Sequence, residues 1–105
     1  MNKARIDQLK QFLEEDPDDP FNWYALALEY VNTDPHQAQE LFNKLLTGHP
    51  TYLPTYYHAG KLAIELNNRE MATRIFEKGL AEAAHQQDTK ALNELRAILD
   101  ELLFD

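Results

Sequence analysis

The chain has 105 residues and a mass of 12.2 kDa, enough for one hydrophobic core, with 44% hydrophobic residues and a formal net charge of −8. Cysteine and serine are both absent, which excludes a disulfide framework, a thiolate zinc site and a thiol or serine nucleophile. Eighteen acidic residues against ten basic ones repel phosphate backbones and anionic lipid, and three glycines are too few for a phosphate-cradling loop.

Helical periodicity runs through the whole chain. Ile6, Leu9, Phe12 and Leu13 share one face at spacings of three and four, and Asp16-Pro17 ends that segment. Asp19 then reads as an N-cap with Pro20 at the first helical position, opening a helix that carries Trp23, Leu26, Ala27 and Tyr30. Asp34, followed three residues later by Gln37, resembles a capping box and starts a helix bearing Ala38, Leu41, Phe42 and Leu45. Gly48 with Pro50 behind it predicts a left-handed C-cap. Pro54 to Leu66 predicts the next helix, with Tyr56, Ala59, Gly60 and Ala63 on its face. Asn67-Asn68 predicts a turn, and Ala72, Ile75, Phe76 and Leu80 the facing helix. Asp88 caps a last amphipathic segment with Leu92, Leu95, Leu99 and Leu102 inward. No segment carries the alternation of a strand, so the expected fold is all-α, with six helices.

Two helix pairs repeat. Trp23, Leu26, Ala27 and Tyr30 occupy the same offsets as Tyr56, Ala59, Gly60 and Ala63, and Ala38-x3-Phe42 aligns with Ala72-x3-Phe76. Trp23 to Tyr56 is 33 residues and Ala38 to Ala72 is 34. This resembles the tetratricopeptide repeat, whose pattern W-x2-L-G-x2-Y, A-x3-F, P spans about 34 residues. In the first pair Trp23, Leu26, Tyr30, Ala38, Phe42 and Pro50 fall in place, with Ala27 in the glycine slot. The second pair is weaker, with Ala59 and Ala63 for larger residues and Ala84 for proline, but Gly60 supplies the small slot. The resemblance implies a right-handed α-solenoid of antiparallel helix pairs. One domain over residues 1–105 is expected: a half-repeat helix over 3–15, repeat one over 20–50, repeat two over 53–86, and a capping helix over 88–104. Arg96 in the small slot of the last helix suits a terminal cap.

Chemistry of the catalytic kind finds no support in the residues. His36, His49, His58 and His85 lie on four different elements, and no two have the i, i+4 spacing of a helical metal pair. The run Glu14-Glu15-Asp16-Pro17-Asp18-Asp19 lacks the glycine and closing glutamate of a calcium loop and reads as helix punctuation. Neither an enzyme activity nor a cofactor or metal is therefore expected. The first ten residues are mixed in charge with no apolar run of signal-peptide kind, and the expected location is the cytoplasm.

In the resembled family the first helix of each pair lines a concave groove. The residues beside the core anchors that would face it are Tyr24, Leu28, Val31 and Asn32, then Tyr57, Lys61, Ile64 and Glu65. Two tyrosines, aliphatic neighbours and one lysine suit a peptide or helix of a protein partner. The expected function is a non-enzymatic protein-interaction module, an adaptor or scaffold, with no nucleic-acid or membrane partner. The family's clamp for acidic chaperone tails is not expected, because Tyr24 and Leu28 stand where its polar pair belongs. The alternative is a unit that homo-oligomerises through its terminal helices, with Phe12, Ile98, Leu103 and Phe104 as contacts.

Overall fold

A computed structural model describes residues 2–104, so Met1 and Asp105, the ends of the expected domain, lie outside the described residues. Six α-helices and no strand occur among them: α1 (Lys3–Glu15), α2 (Pro20–Tyr30), α3 (Pro35–Gly48), α4 (Pro54–Glu65), α5 (Arg69–His85) and α6 (Thr89–Leu103). No helix is long and apolar enough to cross a membrane. The chain groups into two compact units that divide between Tyr52 and Leu53.

Helix starts follow from local chemistry. The carboxylates of Asp19, Asp34 and Asp88 accept from the backbone N–H of Phe21, Gln37 and Ala91 at 3.0, 3.2 and 3.0 Å, and Asn2 and Asn68 do the same for α1 and α5. Proline opens α2, α3 and α4, where its missing N–H has no intrahelical acceptor to lose. Helix ends differ from expectation. Gly48 is the last residue of α3 rather than a left-handed cap, and the C-cap His49 has φ −136°. Among the described residues the left-handed positions are Asn67 at φ 61° and Gln87 at φ 58°. Around each, the chain closes a Schellman motif: Asn68 N–H donates to the Ala63 carbonyl at 2.8 Å, and Asp88 N–H to the Ala83 carbonyl at 2.9 Å. Asn68 and Asp88 then cap the next helix, so α4 to α5 and α5 to α6 turn by one shared device.

In the first unit α2 packs against both α1 and α3. Ile6 and Leu9, Ala25 to Ala27, and Ala38, Leu41, Phe42 and Leu45 are buried. Two rings of this unit are only partly covered. Phe12 is 39% exposed, because α1 makes extensive contact with α2 alone in its unit and covers only part of its apolar face. Trp23 is half-buried rather than enclosed: its Nε1 donates to the Pro17 carbonyl at 2.8 Å, and Lys44 Nζ lies 5.2 Å from the ring centroid. The indole thus closes the edge of the α2–α3 pair with one polar tether and one cation.

In the second unit α4 and α5 pair closely, α6 packs on α5, and α4 meets α6 more lightly. Tyr56, Ala59, Leu62 and Ala63 face Ala72, Ile75, Phe76 and Ala83, with Leu95, Leu99 and Leu102 of α6 buried behind. Glycine permits the closest approaches. A Cβ on Gly60 would fall 2.2 Å from Phe76 Cε1, and one on Gly79 would fall 2.7 Å from Tyr56 Cβ. Arg69 donates to the Leu102 carbonyl, tying the start of α5 to the end of α6.

Thr55, in the first turn of α4, is fully buried and its hydroxyl has no hydrogen-bond partner. A buried hydroxyl without a partner carries an uncompensated desolvation penalty. Thr55→Val, which keeps the shape and removes that group, is expected to raise stability by about 1 kcal/mol. The check is a higher urea midpoint at unchanged m-value.

Candidate functional site

Helical geometry places the expected residues on two equivalent stripes. Tyr24, Leu28 and Val31 follow one another at i, i+4 and i+7 along α2 and its C-cap, and Asn32 stands in the turn beyond. Tyr57, Lys61, Ile64 and Glu65 take the same offsets and all lie within α4. Tyr24, Leu28, Val31, Tyr57 and Ile64 are half-buried, whereas Asn32, Lys61 and Glu65 are exposed. Each stripe therefore combines an apolar floor with polar groups that water reaches.

On the α2 stripe, Tyr24 meets Tyr52 edge to face, with ring centroids 5.6 Å apart and planes at 66°. Burial and the neighbouring Tyr52 raise the Tyr24 phenol above its ordinary 10.0, while burial and the Asp19 carboxylate do the same for Tyr52. Both hydroxyls stay protonated at neutral pH and can donate as well as accept. Phe21, three residues before Tyr24 on the same helix face, is 51% exposed and extends the stripe towards the start of α2. Sequence reasoning missed Tyr52 and Phe21. Tyr52 lies between helices, where no period marks it; the i, i+3 spacing of Phe21 to Tyr24 was the available signal for the other.

On the α4 stripe, Tyr57 meets His58 edge to face, with centroids 5.4 Å apart and planes at 79°. Burial, helped by the Lys61 ammonium, lowers the His58 imidazole below 6.5. The unfolded chain therefore takes up a proton first as pH falls through 6.5, and folded stability drops until the pH passes the lower folded value. This histidine's contribution is complete above 6.5 and is lost on acidification. A two-dimensional NMR titration should find His58 with its midpoint below 6.5.

No group of three or more histidine, aspartate or glutamate side chains able to hold a metal ion occurs among the described residues. The arrangement offers rings, aliphatic surface and isolated charges.

These observations define a helical-hairpin repeat protein, with a first helix of each pair bearing a repeated surface stripe. No protein-family model matches the chain, and no curated protein matches it either. Solved structures do. The solution NMR structure of a tetratricopeptide repeat domain protein from Salinibacter ruber is 36% identical, covering 83% of this chain and 89% of that one with a TM-score of 0.78. A crystal structure of the tetratricopeptide repeat domain protein from the same organism is 33% identical, covering 82% and 98%, again with a TM-score of 0.78. A protein from Bordetella parapertussis shares the fold at 24% identity and a TM-score of 0.79, over 93% of this chain and 86% of its own. The chain belongs to the tetratricopeptide repeat family.

Proposed function

We propose that the protein is a non-enzymatic interaction module and that its α2 stripe and its α4 stripe are each a docking surface for a protein partner. The observation that carries this reading is the duplication itself: Tyr24-Leu28-Val31-Asn32, running from α2 into the turn after it, and Tyr57-Lys61-Ile64-Glu65, within α4, sit at identical offsets. None of these eight side chains is fully buried, so packing alone does not require the rings. Family membership supports the same reading. The mechanism is preorganisation. Tyrosines fixed by edge-to-face neighbours lose little freedom when a partner docks, and each is worth about 2 kcal/mol or more on truncation at a hot spot. Lys61 sets orientation and association rate more than affinity.

The test is capture of partners by the intact chain and by Tyr24→Ala/Tyr57→Ala, with melting temperatures matched first. The double variant is expected to lose the partners that the parent retains. Retention of every partner by a folded double variant would remove the stripes from consideration. A second reading, association between copies through α6, is favoured by one observation: Leu103 and Phe104 are 56% and 87% exposed. Sedimentation of the parent against Phe104→Glu at micromolar concentration distinguishes it, because only self-association through that end responds to the substitution.

A further inference from the structure

The start of α2 carries a partly exposed surface that joins a carboxylate to aromatic rings. The cap joins Asp19 to Phe21, Tyr24 meets Tyr52 from the segment after α3, and the Asp19 carboxylate is near enough to Tyr52 to help raise its phenol. Asp19 spends one carboxylate oxygen on the Phe21 N–H at 3.0 Å, and a carboxylate has about four acceptor positions in all. The Tyr24–Tyr52 pair presents an edge-to-face wall beside it. Phe21, half exposed, adds apolar area on the same helix face.

Resting on the interaction-module reading, we propose that this surface receives a basic segment of the partner, with an arginine or lysine cation settling between the Asp19 carboxylate and the tyrosine rings. Charge complementarity selects that occupant. Residues 1–52 hold nine acidic side chains against four basic ones, a net −5 of the chain's −8. Glu14, Asp16 and Asp18, just ahead of the surface, are exposed, and no cation pairs with them or with Asp19 among the described residues. An acidic segment would meet repulsion at this place, and a neutral one would leave the field unused. The same unit already displays the contact on a small scale, in Lys44 over Trp23. Arginine fits better than lysine, since its planar guanidinium stacks on a ring while its fork reaches a carboxylate. Apolar residues alternating with the cations would cover Phe21 and Leu28.

The intact chain is titrated, by two-dimensional NMR, with an acetylated and amidated Arg-Leu-Arg-Leu-Arg peptide. The glutamine and glutamate analogues of the peptide serve as controls. Shifts are expected at Asp19, Phe21, Tyr24 and Tyr52 with the arginine peptide alone, at an affinity that falls as salt rises. Asp19→Asn keeps the helix cap, because asparagine caps as well as aspartate, and should weaken binding at least fivefold at unchanged melting temperature. Glu94→Gln, on α6, removes an equal charge elsewhere and should change binding less than twofold. Equal binding of the neutral or acidic peptide overturns the proposal, as does an Asp19→Asn variant that binds like the parent. The two readings separate in partner capture. If Tyr24→Ala/Tyr57→Ala loses the partners and Asp19→Asn keeps them, docking at the stripes stands and the basic chemistry falls. If the tyrosine variant keeps them, the stripes themselves fall.

Discussion

Gly60→Leu is expected to unfold or severely loosen the second unit, at a cost of about 3 kcal/mol or more. The reason is metric. A single carbon at position 60 would already fall 2.2 to 2.7 Å from three atoms of the Phe76 ring. Phe76 has no exposed surface, so its ring has nowhere to retreat without moving α5 away from α4. At about 4–8 °C per kcal/mol for a chain of this size, the melting temperature should fall by roughly 12 °C or more. A compensating pair makes the contact itself testable. Phe76→Leu removes the ring edge, so Gly60→Ala should cost less in that background than in the parent, with a coupling of about 1 kcal/mol or more. Additive costs would mean that the two residues do not meet.

Phe76→Ala is the second large effect, at about 3–5 kcal/mol. The ring fills the space that Gly60 leaves on α4, and deleting it opens a cavity that the rigid helix pair cannot close. Phe12→Ala provides the contrast. That ring is 39% exposed on α1, and its loss should cost about 1 kcal/mol or less despite identical chemistry. Urea unfolding of the two variants beside the parent measures the difference directly. Equal costs would contradict the placement of the core.

Where a residue acts on the backbone within a few positions of itself, the fold was legible in the sequence. Pro20, Pro35 and Pro54 and the caps Asp19, Asp34 and Asp88 mark helix starts because each solves a local hydrogen-bonding problem. Helix ends were harder. The left-handed positions fell to Asn67 and Gln87, exposed residues held by the local hydrogen bonds of their Schellman motifs, while Gly48 had the freedom to turn and did not use it. Gly79 escaped notice for the opposite reason. A glycine inside a helix has no periodic signature, and only the Tyr56 and Leu95 side chains lying against it reveal its purpose. Trp23 matched the repeat pattern, yet so large a ring at the edge of a pair is only half covered. The stripes were legible as helix offsets, since Tyr24 and Tyr57 each follow a pattern ring by one residue. Their neighbours were not. Tyr52 reaches Tyr24 from a loop twenty-eight positions on, and such a contact is made by the turn after α3 rather than by any period.

The most direct measurement of the docking claim is hydroxyl-radical footprinting of the chain, free and with a captured partner bound. Tyr24 and Tyr57 take up oxidation in the free protein as half-buried rings. With the partner bound, the account predicts that both become protected while Phe104 at the end of α6 oxidises as before. Protection of Leu103 and Phe104 with both tyrosines unchanged would contradict it and move the binding surface to the last helix.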